Sequence, residues 1–179
     1  MNETDVIVRV LNGEVDSFRL LVERYQKPII RFVRNVVDDS HICEDIAQEV
    51  FLTAYRMLGS FDPDRSEFST WLFTIARNKS LNVLKKKKPL SMPRLPERTS
   101  PVNPADVLSQ KEFFDELDRA LQELPATQKT AFVLAELEQL SHAEIAQIEG
   151  VRIGTVKSRI NRAKSKLQSA LKNLDGEIL

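Results

Sequence analysis

Apolar residues recur every three or four positions along most of this chain, and one proline-rich stretch breaks the rhythm. Phe18, Leu21, Val22, Tyr25, Ile29, Phe32, Val33 and Val36 follow a helical stripe, which Pro28 is expected to bend. Asp38–Ser40 offers a break and a cap, after which Ile46, Val50, Ala54 and Leu58 mark a second stripe. The segment FDPDRSEF (Phe61–Phe68) reads as a loop, with Ser66 or Ser69 as candidate caps for the next helix. That helix runs toward Lys88 with Leu72, Ile75, Ala76 and Val83 inward. Five of the eight prolines then fall between Pro89 and Pro104, so this segment is predicted to be an extended linker. Beyond it, Val107–Leu124 is predicted as one helix, and Pro125 opens another that ends near Leu140.

The last pattern, Leu140–Leu171, predicts a helix, a glycine turn and a second helix. Ser141 and Glu144 have the S-x-x-E spacing in which each side chain satisfies the other's free backbone N–H. Ile145, Ala146 and Ile148 give the short helix an apolar side, and Gly150 suits a sharp turn. Val156, Ile160, Ala163, Leu167 and Leu171 form the buried stripe of the second helix. Its opposite face carries Lys157, Ser158, Asn161, Arg162 and, farther round, Ser165 and Lys166. A helix buried on one side and bearing amides, hydroxyls and cations on the other suits the DNA major groove. The alternative is a solvated amphipathic helix.

The expected fold is all-α: two small helical domains, residues 1–88 and 106–179, joined by a flexible linker over 89–105. Five glycines supply little turn chemistry for an all-β fold, and no alternating strand or internal repeat is evident. The single cysteine, Cys43, excludes an intrachain disulfide and suits a reducing cytoplasm. The first residues, MNETDVIV, carry acids where a signal peptide would carry bases and no apolar stretch follows, so no signal peptide is expected, and no apolar run approaches the roughly 20 residues of a membrane span.

The 26 basic and 26 acidic residues cancel but are segregated. Phe68–Pro96 carries seven basic residues and no acid, Lys111–Gly150 three against nine acids, and Val151–Leu179 seven against two. Nonspecific DNA affinity follows phosphate neutralisation, so a chain with no net charge is expected to need a partner on DNA.

Asp45, Gln48, Glu49 and Leu52 share one helix face. Its readings are a solvated acidic surface, a docking site for a basic partner, or, with His41, a metal site. Arg77, Asn78, Asn82 and Lys85 form a polar stripe that continues into the lysine run. With Phe61, Phe68, Trp71 and Phe73 nearby, the mix resembles one used on single-stranded nucleic acid, with core packing as the alternative for the rings. No phosphate loop, zinc-protease motif or nucleophile elbow is present, and the two histidines, His41 and His142, lie far apart. Neither enzyme, cofactor nor resident metal is expected.

DIAQEVFLTAYRML (Asp45–Leu58), FSTWLFTIARNKSLNVLKKKK (Phe68–Lys88), the proline-rich segment and SHAEIAQIEGVRIGTVKSRINRAKSKL (Ser141–Leu167) occur in that order. Together they resemble an extracytoplasmic-function sigma factor of bacterial RNA polymerase over about residues 5–172. The resemblance implies a sigma-2-like module that docks on the β′ clamp helices through Asp45, Gln48, Glu49 and Leu52. It implies that the loop with Phe61 and Phe68, and the helix with Trp71, Arg77, Asn78, Lys79 and Lys85, open the minus-ten box. There Asn78 would read a flipped base, Arg77, Lys79 and Lys85 would hold phosphates, and Trp71 would pack at the base of the region. It implies a sigma-4-like module near the β flap that reads the minus-thirty-five box. Lys157, Ser158, Asn161 and Arg162 would meet base edges, and Arg152, Thr155 and Arg159 phosphates.

The linker would thread toward the active-site channel and RNA exit path. The absence of a middle helical domain resembles this group rather than housekeeping sigma factors. An anti-sigma factor, soluble or membrane-bound, is the further partner implied, in an envelope or stress response, with the chain itself cytoplasmic and not inserted in the membrane. FDPDRSEF and Asn161 depart from any fixed family pattern, which leaves the preferred bases open. An independent helix-turn-helix regulator and a metal-dependent helical enzyme using His41, Asp45 and Glu49 are the competing readings.

Overall fold

The computed structural model describes residues 2–37, 39–87 and 104–176. The predicted linker, apart from Pro104 and Ala105, lies outside these residues, as does Lys88. Among the described residues the chain is helical, with no strand.

The first half holds α1 (Glu3–Leu11), α2 (Phe18–Val37), α3 (Ser40–Met57) and α4 (Phe68–Lys87), with single 3-10 turns before α2 and after α3. The second holds α5 (Pro104–Glu123), α6 (Ala126–Phe132), α7 (His142–Glu149) and α8 (Ile153–Gly176). A π turn, Val133–Leu137, extends α6, with Glu138 N–H donating to the Val133 carbonyl at 3.1 Å.

The periodic stripes become the core. Ile29, Phe32, Val33 and Val36 of α2 are fully buried, and Val50 and Ala54 of α3 and Leu72 and Ala76 of α4 join them in one apolar cluster. α2 runs unbroken through Pro28. Asp39 caps α3, its carboxylate accepting from the His41 N–H at 3.1 Å. α4 differs from expectation at its start. Glu67 precedes its first residue and accepts from the Trp71 N–H, which leaves Ser66 outside and Ser69 inside the first turn. α5 likewise starts earlier than expected. Pro104 opens it because a first-turn residue needs no intrahelical N–H donor.

α1 is not evident in the periodicity. Val6, Ile7 and Val10 dock it on the bundle, and Glu3 accepts a hydrogen bond from the Tyr25 hydroxyl and pairs with Arg24 at 3.1 Å. Burial first, and then the Glu3 carboxylate, push the Tyr25 phenol well above its ordinary value.

The two halves share their core. The cluster that holds Phe32 and Phe73 continues into Leu134, Ile145, Ile148, Val156 and Ile160. α4 lies against α7, and α2 against the π turn. A second, smaller cluster joins Ala120 and Leu121 of α5, and Leu124 just beyond it, to Ala163 and Leu167 of α8.

Gly150 ends α7 at φ 65°. Its own N–H donates to the Gln147 carbonyl and the Val151 N–H to that of Ala146, the paired bonds of a Schellman ending. A Cβ there would meet nothing within 4 Å, so only backbone strain opposes a side chain. Gly150→Ala is therefore expected to lose about 1 kcal/mol, lowering the Tm by roughly 2–4 °C, with Gly150→Asn closer to the native value in the same thermal melt.

Candidate nucleic-acid and docking surfaces

The helix-turn-helix assembles as its spacing predicts. Ser141 accepts from the Glu144 N–H, and the Glu144 carboxylate accepts from the Ser141 N–H at 2.8 Å. Val156, Ile160, Ala163 and Leu167 turn inward, leaving Arg152, Lys157, Asn161 and Arg162 exposed. Two of the upstream candidates are engaged inside the protein. The Ser158 hydroxyl donates to the Thr155 carbonyl at 2.9 Å, and Arg159 Nη1 donates to Glu149 at 2.6 Å. Thr155 is half-buried.

Glu149 has no exposed side-chain surface. It stands at the C-terminal end of α7, where backbone carbonyls disfavour a negative charge. Arg159 holds one oxygen, and the Thr130 hydroxyl donates to the other at 2.7 Å. The Arg77 guanidinium, from α4 in the first half, approaches the same oxygen to 3.9 Å. That is ion-pair distance but too long for a hydrogen bond. Arg77 Nε is accordingly buried without a hydrogen-bond acceptor among the described residues. Burial, the larger influence, pulls the Arg77 pKa below its ordinary value, Glu149 opposes this, and Arg159 adds to it.

The aromatic approach to α4 is packed against itself. Phe61 and Phe68 meet edge-on with centroids 5.6 Å apart, Trp71 lies 5.4 Å from Phe61, and Tyr25 closes the group beside Phe68. Phe68 is 2% exposed and Phe73 3%, so both rings belong to the core and are not available to a base in this arrangement. Phe61 and Trp71 are half-buried, while Asn78 and Lys85 are exposed. Asn78 accepts from Arg77 Nη1 at 3.3 Å, and Lys79 pairs with Glu49 at 3.3 Å.

Between the FDPDRSEF loop and α4 lies an open cavity of about 310 Å³, lined by Asp62, Arg65, Ser66, Thr70, Trp71 and Gln147 among others. The Thr70 hydroxyl is buried there without a hydrogen-bond partner among the described residues. Asn78 is not among the lining residues. Gln147 comes from α7 and donates to the Arg65 carbonyl at 2.8 Å.

On α3, Asp45, Gln48, Glu49 and Leu52 are all exposed, with Leu52 at 46%. Tyr55 and Met57 continue the exposed apolar surface along this helix. Among the described residues no group of three His, Cys, Asp or Glu side chains is placed to hold a metal ion, so His41, Asp45 and Glu49 do not form a site.

Sequence reasoning did not single out Glu149, Gln147 or Glu138. Glu149 did carry a signal: an acid at the last position of a helix, beside a glycine and between apolar residues, needs a cation brought to it.

Comparison with known proteins matches both halves in order. The family described as Sigma-70 region 2 matches residues 21–89, and Sigma-70, region 4 matches residues 114–167. The ECF RNA polymerase sigma factor SigW of Bacillus subtilis is 33% identical, covering 94% of this chain and 96% of its own. The ECF RNA polymerase sigma-E factor of Escherichia coli is 34% identical, covering 94% of each. The sigma factor RpoE of Bartonella quintana, solved in complex with the anti-sigma factor NepR, superimposes with a TM-score of 0.71 at 25% identity, covering 87% of this chain and 96% of that one. With both conserved regions matched and relatives similar over nearly their whole length, the chain belongs to the extracytoplasmic-function (ECF) sigma factors of bacterial RNA polymerase, which are initiation subunits and not enzymes.

Proposed function

We propose that residues 1–88 dock on core polymerase and open the promoter at its minus-ten box, while residues 106–179 read the minus-thirty-five box. The observation that supports this best is the exposed polar face of α8 over a buried apolar stripe, directly after the capped α7 and its glycine ending. Arg152, Lys157, Asn161 and Arg162 stand free to meet DNA, and in a helix-turn-helix the N-terminal part of the second helix enters the groove. Phosphate contacts position such a helix and base contacts specify its site.

In the first module the exposed Asp45, Gln48, Glu49 and Leu52 form an acidic face with an apolar end, suited to the β′ clamp helices. For the melting step, the cavity beside Trp71 supports a refinement. Its walls offer Asp62 and Ser66 to the edge of a flipped base, with the indole as a stacking surface. Asn78, Lys79 and Lys85, farther along α4, then follow the strand's backbone. Extruding a base costs a few kcal/mol, which contacts in such a pocket must offset. No helix among the described residues is long and apolar enough to cross a membrane. The chain works in the cytoplasm beside the polymerase and is restrained there by an anti-sigma factor, soluble or membrane-held. The Bartonella quintana relative, solved with such a partner, supports that restraint.

The chain mixed with core polymerase and genomic DNA is expected to start transcripts that share two spaced upstream boxes. New starts lacking such boxes, or a palindromic footprint without polymerase, would instead favour an independent regulator. Asp45→Arg is expected to weaken binding to core polymerase by about 2 kcal/mol or more, roughly 30-fold, with an unchanged thermal melt because the side chain is exposed. Arg162→Ala is expected to cost about 1–3 kcal/mol in promoter affinity, read as a drop in run-off transcription confined to templates that depend on the upstream box.

A further inference from the structure

The FDPDRSEF loop borders two open spaces. One is the cavity beside Trp71. The other, of about 290 Å³, is lined by Glu3 and Thr4 from the first turn of α1 and by Phe61, Pro63 and Glu67 from the loop, among others. Ser66 borders both. A segment with space on both sides is placed mainly by what grips its ends. Gln147 meets this one at mid-span, at the Arg65 carbonyl, and its two ends are the rings of Phe61 and Phe68. Those rings lie 5.6 Å apart, and the Trp71 ring is 5.4 Å from the first and 5.6 Å from the second.

Tyr25 of α2 is the member of this aromatic group with a polar tip. Its ring packs 5.6 Å from Phe68, and its hydroxyl donates to Glu3 of α1. The Glu3 side chain is only 17% exposed and also pairs with Arg24 at 3.1 Å. A hydrogen bond to an ionised carboxylate is roughly twice as strong as one between neutral groups. Val6, Ile7 and Val10 already dock α1 by apolar burial, so this bond is not what seats the helix. It fixes the phenol, and a ring held at its tip as well as its face cannot slide along its neighbour.

Resting on the assignment of the Trp71 cavity to a flipped base, we propose that Glu3 and Tyr25 are positioning residues for promoter opening: through the Tyr25 ring, the first turn of α1 sets Phe68, and with it the Trp71 indole and the loop that receive the extruded base. Neither residue touches DNA in this role. A tilt of the rings beneath the indole lowers what stacking returns against the cost of extrusion.

Core polymerase carrying the full chain is the test system, and the probe is a fluorescent single-stranded oligonucleotide copying the minus-ten non-template strand of a promoter mapped with wild type. Tyr25→Phe keeps the ring and removes the donor, Glu3→Ala removes the acceptor, and Glu3→Gln keeps an acceptor oxygen. The first two are expected to weaken oligonucleotide binding about fivefold or more, the lower end of what one stacked base contributes. Glu3→Gln is expected to bind close to wild type. All three are expected to match wild type in affinity for core polymerase and for duplex DNA bearing only the minus-thirty-five box, which a loosened fold would not do. Tyr25→Phe binding the oligonucleotide as tightly as wild type, or Glu3→Gln binding as weakly as Glu3→Ala, would overturn the proposal. So would a parallel loss of polymerase binding, which would reduce the pair to a brace of the fold. A wild type that binds this oligonucleotide no better than an unrelated strand would instead sink the division of labour on which the proposal rests.

Discussion

A carboxylate buried at the end of a short helix governs how the second half of the chain is built. Glu149 lies where the α7 backbone already presents its negative end, and it has no solvent to share the charge. The fold answers with an arginine from α8 and a hydroxyl from α6, so three helices meet at one side chain. Removing one partner of a buried pair leaves the other charge uncompensated, a loss commonly of about 3–5 kcal/mol. The angle between α7 and α8 is thus fixed by a polar knot as well as by Val156 and Ile160 beneath it. Because Arg159 is spent on that knot, the outward face of α8 is left to Lys157, Asn161 and Arg162.

The same economy of charge runs through the molecule. With equal numbers of acids and bases, its basic surfaces are interleaved with acidic ones. Lys79 is paired with Glu49 of α3, Lys164 with Glu136, and Arg77 leans on Glu149. These three cations are engaged within the protein, while Lys85, Arg152, Lys157 and Arg162 stay exposed. As an ECF sigma factor the chain binds core polymerase and promoter DNA. The aromatic group of Tyr25, Phe61, Phe68 and Trp71 supports the loop from below, so the walls of the cavity rest on packed rings.

Much of this was legible in the sequence where one local rule decides. The Ser141–Glu144 box, the glycine at 150 and the α8 stripe each depend on spacing alone, and the helix-turn-helix forms as they require. The exposed quartet on α3 follows from three-four spacing for the same reason. α1 was not legible, because three buried residues in nine leave too short a pattern. Phe68 reads equally as a stacking ring or as core, and only tertiary packing decides between them. The meeting of the two halves was least legible of all. Arg31, Glu138 and Gln147 are polar residues on helix faces or ends that read as solvated, and their partners lie 107 and 82 residues away along the chain.

The π turn at Val133–Leu137 gives that meeting its alignment. A π turn accommodates one residue more than an α turn, and each residue advances a helix by about 100°. Deleting a single residue there would let α6 run on as ordinary helix and swing everything after it by that angle. Glu138 would then face away from Arg31, although no side chain of the pair had changed. The phase of one helix, set by a single extra peptide unit, thus determines whether the two modules recognise each other.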